Sequence, residues 1–209
     1  MSISASSSSA SLPRVSAIPA GVADVSQLPD AERTALSASL RAMGAVLFGA
    51  PSDGGFTSRA RADLAPFLDD GSVLFVACDA GPEGAAACER AGITTTPTLL
   101  TAGGAHIEGA VGLRALGAFA DAPAAVATAL SARGAVFYGR DSCVWTRRQK
   151  SALGVGAKLL FVDCEDAARG AAKCRAAGVT AVPAWSLPSH KNGELQPGFR
   201  SLDALRAWL

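Results

Sequence analysis

Aromatic side chains are scarce in this chain, at 6%, and histidine occurs only twice, at His106 and His190. Neither histidine lies near a cysteine cluster, and no CxxC pair is present. The usual sequence basis of a zinc site is therefore missing, and no metal is expected. Charge of one sign is missing too, since 18 acidic residues face 19 Lys and Arg for a net charge of +1. Such a balance builds no field for nucleic acid or an anionic membrane surface. The short basic run RRQK at 147–150 reads as the solvated face of a helix. No apolar run is expected to reach the ~18 residues of a bilayer crossing, so no membrane span is predicted. Of the 209 residues 49% are hydrophobic, but alanine supplies much of that share. A core has to come from Leu, Val, Ile and eight Phe, with Ala letting helices approach closely. That suffices for small α/β layers, in one medium domain or two of roughly 100 residues each.

What is present is a repetition. Gly44 opens GAVLFGAPSD and Gly134 opens GAVFYGRDSC. After a slip of one residue, FTSRARADL (56–64) lies over WTRRQKSAL (145–153). VLFVACDAGPEGAAACERAGITTTPTLL then matches LLFVDCEDAARGAAKCRAAGVTAVPAWS, and GAVGLRALGAF (109–119) matches GFRSLDALRAW (198–208). The blocks keep one order in both halves, so the chain is a tandem duplication with a period of about 90 residues. The reading is a Ser-rich N-terminal arm or targeting remnant at 1–28, a first repeat at 29–120 and a second at 121–209. Only about a turn of chain around 120–123 separates the repeats, so contact between them is expected.

Each half predicts the same elements. A helix (ERTALSASLRAMG, APAAVATALSARG) ends at a glycine suited to the C-terminal cap. A short apolar strand follows, then a helix across RARADLAPFL or RRQKSAL, and a second strand SVLFVAC or KLLFVDC rich in β-branched and aromatic residues. A third helix stops at glycine, and Thr96–Pro97 or Val182–Pro183 opens a hairpin turning at GG or NG before a final helix. The fold class is α/β: a central mixed β-sheet flanked by helices, built twice.

This order resembles the thioredoxin fold, and in particular the thioredoxin-like domain fused to bacterial and plant vitamin K epoxide reductase homologues, the lumen thiol oxidoreductases. The positions that carry the likeness are 43–49, 137–143, 161–164, Cys174, 177–179 and 183–185, and it spans about 30–209. The family's membrane quinone-reducing domain has no counterpart in these residues. The resemblance implies two tandem thioredoxin-like domains, a redox loop at the start of a helix in each, and cis prolines facing those loops at Pro97 and Pro183. It also implies a dithiol, and here the sequence departs. The first loop reads DGGFT (53–57) with no thiol, and the second reads CVWT, with Thr146 where a second cysteine belongs.

A dithiol site works in two moves. The first cysteine, at a helix N-terminus, attacks a disulfide as thiolate, and the second resolves the mixed disulfide. Thr146 lies one helical turn after Cys143 and can donate a hydrogen bond to its thiolate, but it cannot resolve. Cys143 is therefore either a single thiol for exchange or sensing, a partner in an intermolecular disulfide, or a vestige at a site now used for contact. The loop also lacks the CGFS signature of iron–sulfur glutaredoxins, and no cofactor is expected.

Cys78 and Cys88 stand in the same spacing, at the same place in the repeat, as Cys164 and Cys174. Two local disulfides are the economical assignment, each contributing roughly 2.5–3 kcal/mol by the loop-entropy argument. The alternative is four buried free thiols, since reduced cysteine packs as a small apolar residue. Disulfides imply an oxidising compartment. The resemblance points to the thylakoid lumen of a chloroplast, with periplasmic, secretory and stromal locations as alternatives. The N-terminal run is Ser-rich and free of acid, as in transit peptides and in flexible linkers alike.

Trp145 stands where thioredoxin-fold loops expose a residue between their cysteines, and Phe56 holds the matching place in the first repeat. With Pro97 beside the first loop, this pair is the expected partner contact, against plain packing. The expected function is a redox-degenerate interaction or accessory subunit, binding protein partners that include a membrane-bound complex. The alternative is a monothiol oxidoreductase or redox sensor using Cys143, with Thr146 and Pro183 in support.

Overall fold

The computed structural model describes residues 25–109 and 112–209. In chain order its elements are α1 (Asp30–Met43), β1 (Ala45–Gly49), α2 (Phe56–Asp63), α3 (Ala65–Asp69), β2 (Val73–Ala77), α4 (Gly81–Arg90), β3 (Thr98–Leu100) and β4 (His106–Glu108). They continue with α5 (Leu113–Ala132), β5 (Val136–Gly139), α6 (Val144–Leu153), β6 (Phe161–Asp163), α7 (Gly170–Ala176), β7 (Ala184–Ser186), β8 (Gln196–Pro197) and α8 (Leu202–Arg206). Two four-stranded sheets result, ordered β2-β1-β3-β4 and β6-β5-β7-β8. In each, the first pair is parallel and the other two are antiparallel, so the halves share one topology. The architecture is α/β, with two four-stranded mixed sheets of one topology, each flanked by helices.

The central strands explain the sheets. β1 is almost wholly buried, with Ala45, Leu47 and Phe48 packed, as expected of a strand covered by helices on both faces. In α1, Leu36, Leu40 and Met43 recur at helical spacing and are buried in the first core. Gly44 ends that helix at φ 62°, donating its N–H to Arg41. The second core is built on Phe137, Leu153 and Trp185, whose indole stacks on Phe137 at 5.0 Å.

Several elements differ from expectation for local reasons. The helix read across RARADLAPFL is two, α2 and α3, because Pro66 sits in the first turn of α3 and cannot continue a helix through Leu64. The terminal helix of the first repeat and the opening helix of the second are one 20-residue helix, α5, with Pro123 inside. Its early residues Leu113, Leu116 and Ala120 fill the first core, and Val126, Ala127 and Leu130 fill the second. The separating turn expected at 120–123 is helical.

α5 also corrects the expectation about apolar runs. Its window Ala115–Ala132 has a mean hydropathy of 1.3, long and apolar enough to cross a membrane by composition alone. Its division between two packed cores gives that apolar face a destination inside the protein. Of the N-terminal arm, residues 1–24 lie outside the described residues, and Val25 and Leu28 are buried in the first core.

The halves touch closely. A Cβ on Gly103, in the β3–β4 turn, would lie 2.6 Å from the Ala152 Cα of α6. Gly154 meets Met43 of α1, with the side-chain Cγ 3.1 Å from where a Cβ would stand.

Candidate functional site

In the second repeat β5 stops at Gly139, and four residues later α6 begins with Cys143 as its N-cap, φ −80° and ψ 123°. Gly139 is required, because a Cβ there would lie 2.5 Å from Cγ2 of Thr146. Thr146 is fully buried in that space, and its hydroxyl accepts the Arg140 N–H at 3.3 Å. The loop is fastened from outside as well. Glu165 accepts the Ser142 N–H at 3.3 Å and also the Ser142 hydroxyl. Arg147 donates to the carbonyls of Asp141 and Ser142 at 2.8 and 3.0 Å.

Cys143 is half-buried and unpaired. Its thiol points at the Val182 carbonyl, 3.7 Å away, on the residue before Pro183, and the Val182–Pro183 bond is cis. Desolvation pushes the thiol pKa up, but hydrogen bonds from the backbone and side chain of Thr146, then the Trp145 backbone and the Arg147 charge, outweigh it. The net result is a thiol more acidic than ordinary cysteine.

The first repeat builds the same frame around a different atom. Gly49 ends β1 over the buried Thr57, where a Cβ would lie 2.5 Å from Cγ2, and the Thr57 hydroxyl accepts the Ala50 N–H at 2.9 Å. Where the thiol would stand is the carboxylate of Asp53. It accepts the Thr57 N–H at 2.9 Å, the Thr57 hydroxyl at 2.5 Å and the Thr96 hydroxyl at 3.2 Å, and Thr96 precedes the cis Pro97. Desolvation raises the Asp53 pKa, and the hydrogen bonds of Thr57, Thr96 and Gly55 overcome it, holding the carboxyl below its ordinary range. The surroundings thus shift both groups toward the ionised form relative to their ordinary behaviour.

The two threonines, Thr57 and Thr146, stand at matching places beneath Gly49 and Gly139. Each accepts a loop N–H beneath a glycine, an architectural task that the sequence did not suggest, and each also hydrogen-bonds the acidic group of its own loop, Asp53 or Cys143. Sequence reasoning also missed the acidic residue after each strand-end cysteine. Asp79 accepts the Ser52 N–H at 2.9 Å, just as Glu165 holds Ser142. An acid following Cys78 and Cys164 in both repeats was the available signal.

The run RRQK is corrected in one residue. Arg147 and Arg148 are exposed, but Gln149 is completely buried. Its Oε1 accepts the Trp185 indole N–H at 3.3 Å and the Arg200 N–H at 2.7 Å, while its Nε2 donates to the Arg200 carbonyl at 3.0 Å.

Disulfides join Cys78 to Cys88 and Cys164 to Cys174. Each strand-end cysteine donates its N–H to the glycine that opens the loop, Cys78 to Gly49 at 2.7 Å and Cys164 to Gly139 at 2.8 Å. The bridges therefore sit behind the loops. At the front, Phe56 is 63% exposed and Trp145 50%, joined by Val144, which the sequence reading passed over. Arg148 lies over the rings of Trp145 and Phe199, at 5.6 and 5.0 Å. Among the described residues, no group of His, Cys, Asp and Glu is arranged to hold a metal ion.

No protein-family model matches the chain, and no curated protein matches it. Among solved structures it is similar to the alkylhydroperoxide reductase protein AhpF of Enterococcus faecalis, at 14% identity, covering 87% of this chain and 99% of that chain with a TM-score of 0.36. The NTD_N/C domain of the same Enterococcus faecalis protein aligns at 15% identity, over 87% and 100%, with a TM-score of 0.35. A protein disulfide oxidoreductase from Aeropyrum pernix aligns at 12% identity, over 90% and 94%, with a TM-score of 0.34.

Proposed function

We propose that this chain is a redox-degenerate member of the thioredoxin-like fold that holds a protein partner rather than cycling disulfides. One observation carries the reading: the attacking position of the first repeat is the carboxylate of Asp53, and both resolving positions are threonines committed to the loop backbone. A carboxylate cannot exchange disulfides, and a threonine hydroxyl cannot resolve one. What the loops still offer is an exposed apolar residue each, Phe56 and Trp145, beside a cis-proline segment. The finer assignment goes with the sequence resemblance: an accessory subunit related to the thioredoxin-like domains of vitamin K epoxide reductase homologues, serving a lumenal or membrane-bound complex. Its compartment would be oxidising, the thylakoid lumen first. The two disulfides support an oxidising location and do not choose among compartments.

A second reading has its own support. Cys143 is partly accessible, more acidic than ordinary cysteine, and unpaired, as a monothiol exchange centre would be. The test assays the intact protein for glutathione-dependent disulfide turnover, alongside recovery of its native partner by co-purification. Expected are no turnover and a partner lost in Phe56→Ala and Trp145→Ala. Turnover that disappears in Cys143→Ser would establish the enzyme and end the first reading.

A further inference from the structure

A cleft of about 480 Å³ opens between the two repeats. The first repeat lines it with Arg90 at the end of α4, Thr94, and the β3–β4 hairpin residues Thr101, His106 and Glu108, and Arg148 of α6 closes it from the second. Its size is that of cavities that take small organic ligands. Among the described residues neither Arg90 nor Arg148 has a carboxylate at ion-pair distance, and the lining acid Glu108 faces His106 Nε2 at 3.8 Å.

Arg148 is also held in place. Its guanidinium carbon lies 5.6 Å from the Trp145 ring centroid and 5.0 Å from that of Phe199, and its terminal nitrogen lies 3.7 Å from where a Cβ on Gly104 would stand. A guanidinium held near aromatic rings by cation–π attraction keeps five N–H donors, the group that pairs with carboxylate or phosphate oxygens. Gly104, at φ 93° in the hairpin turn, lets that arginine lie against the backbone.

We propose that this cleft binds a small molecule carrying an oxyanion, carboxylate or phosphate, between Arg90 and Arg148. The two arginines come from different repeats, so the ligand bridges them. Phe56 lies outside this cleft, Arg148 shares the Trp145 ring with the second loop, and the site is independent of whether Cys143 is active.

The intact protein is titrated at fixed ionic strength with inorganic phosphate in one arm and citrate in the other. Heat and tryptophan emission are both followed, since the Trp145 ring lies against Arg148. The expected result is one-to-one saturation in at least one arm. Affinity should fall about tenfold or more in Arg148→Gln and in Arg90→Gln, and stay at the wild-type value in Arg59→Gln, an exposed arginine of α2 outside the cleft. Saturation by phosphate alone assigns a phosphorylated ligand, and saturation by citrate alone a polycarboxylate. No saturation by either anion at millimolar concentration overturns the proposal. So does unchanged affinity in both cleft variants, or an equal loss in Arg59→Gln.

Discussion

The Thr96 hydroxyl donates to Asp53 across 3.2 Å, in the place where the second repeat sets the Cys143 thiol 3.7 Å from the Val182 carbonyl. Both contacts join a loop at a helix start to the residue before a cis proline. The direction of donation is reversed, from proline loop to carboxylate in one and from thiol to proline loop in the other. In the first repeat the Asp53 carboxylate accepts from the surrounding Thr57 and Thr96 donors by itself.

That makes Asp53 a source of acid sensitivity. Its folded pKa lies below the unfolded value of about 3.9. Its stabilising contribution is therefore complete above that value and lost as pH falls through the folded one. Asp53→Asn should unfold at lower urea than wild type at pH 7, and the gap should narrow as the medium is acidified below the unfolded value. Asp70, Asp79 and Glu165 are shifted in the same direction and remain in both proteins, so the difference isolates Asp53. Equal midpoints at pH 7 would remove the assigned role.

Cys143 gives a second pH prediction, of opposite use. Its acidity is raised by the Thr146 backbone and hydroxyl, working against desolvation. Replacing Thr146 by the isosteric Val removes the hydroxyl and keeps the volume under Gly139. The midpoint of Cys143 alkylation against pH should rise in Thr146→Val. The Arg140 N–H also loses its acceptor, at a stability cost of about 1 kcal/mol. An unmoved alkylation midpoint would show that the helix terminus alone sets the thiol.

Much of the fold was legible because the duplication states each signal twice. The strand cores VLFVA (73–77) and FVD (161–163), the capping glycines Gly44 and Gly134, and the paired cysteine spacings each appear at the same place in both halves, although the Lys158–Leu159 part of the second expected strand is 3-10 helix. The continuity of α5 was harder to see. Pro123 and the alanines around it resemble a linker, and only the packing of residues on either side into two different cores makes a single helix of them. Asp53 was hidden by the one-residue slip between the repeats, which puts a glycine pair where the second repeat has one valine. Gln149 was hidden by its charged neighbours, although helical spacing from Thr146 through Gln149 to Ala152 and Leu153 marks the buried face of α6.

Gln149 should accordingly behave as a core residue. Gln149→Leu keeps the bulk and leaves the Trp185 indole N–H, the Arg200 N–H and the Arg200 carbonyl without their partner. A buried group left unsatisfied costs about 1–3 kcal/mol, so the variant should lose roughly 3 kcal/mol in a urea melt. Near-ultraviolet circular dichroism should change with it, through the fully buried Trp185. A loss under about 0.5 kcal/mol would place Gln149 among ordinary surface substitutions.

The contact between repeats can be tested at a single atom. A methyl group on Gly103 would approach the Ala152 Cα, Cβ and N of α6 at 2.6, 2.8 and 2.9 Å, all within a helix that cannot give way locally. Gly103→Ala should therefore push the β3–β4 turn off α6 and cost roughly 1–3 kcal/mol, as overpacking does. Gly112 offers the contrast: nothing lies within 4 Å of its would-be Cβ and its φ is −67°, so Gly112→Ala should change stability by about 1 kcal/mol or less. Thermal melts of the two variants decide the matter. If Gly103→Ala melts with Gly112→Ala and wild type, the repeats are not packed through this turn, and the cleft that Arg148 closes against the β3–β4 hairpin loses its wall.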